Sequence, residues 1–125
     1  MYDTISQNIT MGHEGISDKD VENVIKLVGL DKFVEQLPMG LNTYLYENGR
    51  NLSGGQKQKI AIARALVRIP EILILDETLS QIEEDHRKKI LCNIFEKNPD
   101  MTCILICHDR QVSALCDREI NLSGE

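Results

Sequence analysis

Two short apolar segments in the second half of the chain restrict the possible folds most strongly. The first is residues 72–75 (ILIL), which show no alternation of apolar and polar residues. Such a run is typical of a strand buried on both faces of a parallel sheet. The second is residues 102–107, and between them lies a helical stripe formed by Ile90, Leu91, Ile94 and Phe95. Strand, helix and strand over about 35 residues match a βαβ unit, so we predict an α/β fold with two parallel strands.

The first half of the chain is predicted to be helical. Ser17 can cap a helix that ends at Gly29, and its apolar residues recur with helical spacing at Val21, Val24, Ile25 and Val28. A second helix is predicted from about Ser53 to about Arg68, because Pro70 cannot continue it.

Composition excludes several classes of protein. The chain has 125 residues and a formal net charge of −6. Its longest apolar run, residues 103–107, is far shorter than the about 20 residues that a membrane-spanning helix needs. The acidic balance and the scarcity of aromatic residues argue against a nucleic acid partner. There is no C-x-x-C pair, and Cys103 and Cys107 would lie about 13 Å apart along a strand, so we expect buried free thiols.

Candidate catalytic residues follow both predicted strands. Asp76 and Glu77 come directly after the first strand, and His108 comes directly after the second. Parallel strands end at one edge of a sheet, which is where ligands bind in open α/β folds. In phosphoryl transfer, one carboxylate can hold Mg²⁺ and another can orient the attacking water. The alternative is that Asp76 caps the next segment, Glu77 is solvated and His108 is structural.

A glycine pair opens the second predicted helix, in residues 52–56 (LSGGQ). Ser53 and Gln56 have the spacing of a capping box. Gly54 and Gly55 remove side chains where a helix exposes its N–H groups, which is an anion-binding geometry. The alternative is an ordinary capped helix with a solvated basic face, formed by Lys57, Lys59, Arg64 and Arg68. Because glycine costs about 1 kcal/mol in a helix relative to alanine, the pair suggests a close approach to the backbone.

Together these motifs resemble those of the ATP-binding cassette (ABC) ATPases. Residues 52–56 are similar to the signature motif, Asp76-Glu77 to the Walker B motif, and His108 to the switch histidine. Residues 56–66 and 37–43 strengthen the likeness, which is closest to cassettes of bacterial peptide and bacteriocin exporters. The resemblance covers essentially the whole chain. It implies a helical signature subdomain at residues 1–69 and a partial P-loop-type ATPase core, with parallel strands and a crossover helix, at residues 70–125.

The resemblance also implies roles and partners. Two cassettes of this family pair head to tail around ATP, so Ser53, Gly54, Gly55 and Gln56 are expected to contact a nucleotide held by a second cassette. Asp76 is expected to help hold Mg²⁺ through water, Glu77 to act as the general base, and His108 to sense the γ-phosphate. The implied protein is the ATP-binding part of a transporter, partnered with membrane domains at the cytoplasmic face of the cell membrane. A peptide-like substrate is expected.

The sequence departs from the family pattern at several points. No phosphate-binding loop with its lysine is present, and the family's earlier motifs would precede Met1. We therefore expect little ATP binding by the chain alone, and exposed apolar surface where further strands would pack. In the loop after Walker B, Gln81 replaces a usual alanine and Glu83 a usual aspartate, which puts packing across the dimer in doubt. Asp109 follows the histidine and would favour its charged form.

Two other interpretations stay open at this point. The chain could be a non-catalytic interaction module that completes a partner's ATP site through the signature motif. It could instead come from a DNA-repair or chromosome-structure ATPase, although residues 37–43 and the acidic charge argue against this. At the other end of the chain, residues 121–124 resemble a turn that leads into a further strand.

Overall fold

The computed structural model describes residues 4–46, 50–108 and 110–120. The elements in chain order are α1 (Ile5–Thr10), α2 (Asp18–Leu27), α3 (Asp31–Glu35), a short 3₁₀ helix (Gly40–Asn42), α4 (Gly54–Leu66), β1 (Ile72–Asp76), α5 (Glu84–Lys97), β2 (Thr102–Ile106) and α6 (Arg110–Ser113).

The predicted strand, helix and strand are confirmed. β1 and β2 pair in parallel, with Ile72 opposite Thr102 and Asp76 opposite Ile106. α5 connects them, and its buried residues Ile90, Leu91 and Ile94 belong to the predicted stripe. Both strands therefore end at the same edge of the sheet, which is the condition that the candidate site needs.

Only one face of the sheet is buried, so the prediction of burial on both faces is wrong for the described residues. Leu73 and Leu75 are 2% and 3% exposed and share a core with the buried side of α4, which packs against β1. The opposite face carries four isoleucines that are 46–60% exposed: Ile72, Ile74, Ile104 and Ile106. We call them the isoleucine face. The separate expectation of exposed apolar surface is confirmed there.

The helix α2 begins where its capping residue predicts. Ser17 accepts a hydrogen bond from the Asp20 N–H (3.1 Å) and starts α2, and Gly29 takes a left-handed φ of 78° two residues after the last residue of this helix. α1 was not predicted, although Thr4 and Gln7 form a capping box of the same kind. α4 ends at Leu66, slightly before the predicted Arg68.

The four cysteines are free thiols. Cys92 is exposed, contrary to the expectation of burial, and Cys103, Cys107 and Cys116 are partly buried. Burial, together with the nearby Cys116 thiol, raises the pKa of Cys103 to about 11. Within the described ranges, no helix is both long and apolar enough to cross a membrane.

Candidate functional site

The first part of the site lies at the carboxyl edge of the two strands. The Glu77 N–H donates a hydrogen bond to the Ile106 carbonyl oxygen (2.8 Å), which extends the strand pairing by one step. Glu77 has a φ of 52°, a left-handed conformation that is uncommon outside glycine. Such backbone strain persists only when the surrounding structure holds it, and it occurs often at functional sites.

This conformation brings the Glu77 and His108 side chains together. Glu77 Oε1 lies 3.1 Å from His108 Nε2, as the shared strand edge predicts. The histidine side chain is 95% exposed and the glutamate side chain is 51% exposed. A contact between two side chains this accessible contributes little to stability, since water and salt screen it. Both groups therefore remain available to a ligand or a water molecule.

A cavity of about 360 Å³ opens beside this pair. Its inner wall is apolar and includes Leu75, Leu79 and Leu105, whereas Glu77 and His108 lie among its polar lining residues. The carboxylate and the imidazole thus border a concave surface, the setting in which ligand sites usually form.

Asp76 ends β1 with an exposed side chain. Mg²⁺ is commonly held by one or two carboxylates together with substrate phosphates and water. The described part of the chain contains no group of three or more His, Cys, Asp or Glu that could hold a metal by itself. A single exposed carboxylate such as Asp76 would supply only part of the coordination shell of a Mg²⁺. Asp109 and residues 121–124, both singled out from the sequence, lie outside the described residues.

The second part of the site is the first turn of α4. The predicted capping box is confirmed: the Gln56 N–H donates to Ser53 Oγ (3.1 Å), and the Ser53 N–H donates to Gln56 Oε1 (2.9 Å). The first backbone hydrogen bond within this helix runs from the Lys57 N–H to the Ser53 carbonyl oxygen. The N–H groups of Gly54 and Gly55 precede it and have no intrahelical acceptor, so the turn can bind an anion.

The basic residues of α4 are not simply a solvated face. The Arg64 Nε donates to the Asn8 carbonyl oxygen (2.6 Å), which ties α4 to α1, and Asn8 is fully buried. Lys59 Nζ lies 3.4 Å from His86 Nδ1 on α5. At least these two cations therefore have structural partners in other helices.

Sequence reasoning missed the residue that joins the two parts. Gln58 on α4 donates from Nε2 to Ser80 Oγ (2.9 Å) and accepts the Gln81 N–H at Oε1 (2.7 Å). These bonds fasten the loop after β1 to the first turns of α4. The partners are more than 20 residues apart, and no local pattern around Gln58 signals them.

Comparison with known proteins gives a consistent result. A family model described as "ABC transporter" matches residues 2–80. A Rickettsia felis protein named as an export ATP-binding/permease protein is 44% identical over 105 residues, which are 84% of this chain and 18% of that protein. The multidrug resistance protein pgp-1 of Caenorhabditis elegans is 42% identical over 105 residues, again 84% of this chain but 8% of that protein.

A solved structure gives the same picture. The ATP-bound structure of a bacterial Atm1-family ABC exporter superposes with a TM-score of 0.82 and 36% identity, covering 92% of this chain and 20% of that one. This chain therefore spans one fifth or less of the length of the proteins compared here.

Proposed function

Because this chain belongs to the ABC transporter family, we propose that it forms the signature-bearing part of an ATP-binding cassette, which couples ATP binding and hydrolysis to export. The observation that carries the proposal is the Glu77–His108 pair, 3.1 Å apart at the carboxyl edge of two parallel strands. One compared relative is named as an export protein and the superposed structure is that of an ABC exporter, which favours transport over DNA repair.

At this edge, Glu77 is proposed as the general base. Its carboxylate is accessible and can accept a proton from the water that attacks the γ-phosphate. His108 is proposed to exchange its bond with Glu77 for a hydrogen bond to the γ-phosphate. Asp76 would hold Mg²⁺ through water, and this ion would neutralise the charge that develops on the phosphate oxygens.

The first turn of α4 is proposed to act on a different nucleotide. Ser53, Gly54, Gly55 and Gln56 would contact an ATP held by a second cassette, paired head to tail with this chain. The N–H groups at the start of α4 and its helix dipole both favour a phosphate. This arrangement makes each ATP depend on two cassettes, so binding of ATP brings them together.

The larger organisation follows from the same proposal. Residues 1–69 would form the helical signature subdomain and residues 70–125 part of the ATPase core. The cassette would work with transporter membrane domains, at the cytoplasmic face of the membrane. The peptide-like substrate expected from the sequence is not carried further, because the similar proteins include a multidrug resistance protein and an Atm1-family exporter.

A chimera tests the role of Glu77. The 105 residues of this chain that match the Rickettsia felis exporter replace their counterpart in it, and ATP turnover is measured. Glu77→Gln is expected to lower turnover by about 100-fold or more, because general base catalysis contributes at least that factor. It should also trap the ATP-bound dimer. The control is Glu96→Gln, an exposed glutamate on α5. If Glu77→Gln keeps turnover within a few-fold of the parent chimera, Glu77 is not the base.

Calorimetry tests whether the chain alone binds Mg-ATP, and pairing with a complete cassette then tests a purely accessory role. Mg-ATP is expected to give no micromolar binding, because the sequence has no phosphate-binding loop to cradle the β- and γ-phosphates. Micromolar binding would contradict this. An isolated chain that pairs with a complete cassette, and supports turnover there equally well when Glu77 is replaced by glutamine, would favour the interaction-module alternative.

A further inference from the structure

The glycine pair of α4 lies against this chain's own loop. A Cβ built on Gly54 would overlap Gln81 Oε1 and lie 2.6 Å from Gln81 Cδ, and one built on Gly55 would lie 2.9 Å from the Gln81 carbonyl oxygen. The close approach that two successive glycines suggest is therefore made by Gln81. The side chain extends along Gly54, while the backbone crosses Gly55.

The backbone of Gln81 is held firmly while its side chain is accessible. Gln58 accepts the Gln81 N–H at 2.7 Å, and the loop residues Leu79 and Ile82 are 5% and 2% exposed. Gln81 itself is exposed. A rotation of its side chain can thus uncover Gly54 without moving the loop.

The atoms that cover the turn are those that alanine lacks. The Gln81 Cβ would lie 3.4 Å from a Cβ on Gly54, an ordinary van der Waals contact, whereas Cδ and Oε1 lie closer. The carbonyl end of the amide bears partial negative charge and faces the first turn of a helix, which attracts negative charge. Gln81 Oε1 therefore lies directly against Gly54, in the turn that is proposed to meet a phosphate.

We propose that Gln81 is a gate over the first turn of α4, and that its side chain must rotate away before the turn can engage a nucleotide. This inference rests on the proposed use of that turn by a partner's ATP. The apparent affinity for the second cassette is the intrinsic affinity multiplied by the fraction of molecules whose gate is open. Gln81 thus acts through the first turn of α4, and its closed conformation weakens pairing of this chain with a second cassette.

Two substitutions at position 81, one that shortens the side chain and one that charges it, test the gate. The chain is titrated with the complete cassette of the Rickettsia felis exporter in the presence of Mg-ATP, and pairing is followed by fluorescence anisotropy. Gln81→Ala is expected to tighten pairing about fivefold, equal to about 1 kcal/mol. Gln81→Glu should weaken it, since the carboxylate is held by the helix dipole and repels phosphate. Gln36→Ala, an exposed glutamine elsewhere, is the matched control.

A role in packing alone would give a different order. Both Gln81→Ala and Gln81→Glu would then weaken pairing, and that result overturns the gate. Equal affinities for all four proteins overturn it as well, while leaving the proposed function intact. If no protein pairs with the cassette under Mg-ATP, the proposed function fails instead.

The cover itself is tested on the isolated chain by amide NMR. In Gln81→Ala, the Gly54 and Gly55 amide resonances should shift and their N–H groups should exchange faster with water, whereas Gln36→Ala should change neither. Unchanged shifts and exchange rates would overturn the gate, whatever the pairing experiment shows.

Discussion

On one face of the β1–β2 sheet the side chains are covered by helices, whereas on the other they are open to solvent. Leu73 and Leu75 are nearly inaccessible to solvent. Ile72 and Ile74 alternate with them along β1, and the isoleucine face to which they belong is about half exposed. Residue type does not explain the difference, because leucine and isoleucine are similarly apolar. The difference lies in what packs against each face.

The covered face is the side of the sheet whose packing partners lie within the described residues. The covered face gains stability from apolar area removed from water, roughly 25 cal/mol per Å². The isoleucine face gains little stability in this way, although strands of parallel sheets are normally covered on both sides. Four large apolar side chains in one patch form the kind of surface at which other protein segments pack.

Leu73→Ala tests the covered face and should have the largest effect. It is expected to lower the free energy of unfolding by about 3 kcal/mol, because it leaves a cavity in the shared core. Urea denaturation measures the change. Ile74→Ala, the next residue on the opposite face, is the matched control and should cost about 0.5 kcal/mol. Equal losses at the two positions would show that the faces do not differ in burial.

Ile104→Lys tests the isoleucine face. The charge is expected to lower the fluorescence of a bound apolar dye about twofold, because it divides the exposed patch. The free energy of unfolding should change by less than about 1 kcal/mol, since the position has little burial to lose. Leu105→Lys, on the covered face, is the contrasting variant. It should lower the free energy of unfolding by more than Ile104→Lys does, because Leu105 packs against the core. A similar loss in Ile104→Lys would indicate that its side chain is buried in solution.

The sequence predicts features that depend on local chemistry. The capping box of Ser53 and Gln56 and the end of α2 near Gly29 follow from short spacings. The parallel strands follow from the order of strand, helix and strand, and the structure confirms all three features. It also predicts that Glu77 and His108 share an edge. The exposed isoleucine face and the Gln58 contacts depend on tertiary packing instead. An unbroken apolar run cannot show which of its faces other elements cover.

Ser53→Ala tests a feature that depends on neither face of the sheet. Loss of the cap is expected to lower the free energy of unfolding by about 1 kcal/mol, because the Gln56 N–H loses its acceptor. Thermal denaturation checks the value. Ser17→Ala removes the equivalent cap of α2 and should cost a similar amount, whereas Ser6→Ala, inside α1, should cost less. A neutral Ser53→Ala would mean that water replaces the hydroxyl without loss.

The thiol of Cys103 reports on the covered face, since Cys103 is paired with Leu73 across the sheet. Burial raises its pKa from 9.0 to about 11, so the folded state holds the neutral thiol longer than the unfolded state does. This contribution to stability is fully present below pH 9 and is lost as the pH rises towards 11. Cys103→Ala should therefore flatten the fall in unfolding free energy between these values, relative to the parent chain and to Cys92→Ala at the exposed cysteine. Parallel pH profiles for all three proteins would show that the covered face does not bury this thiol, and would weaken the contrast between the two faces at β2.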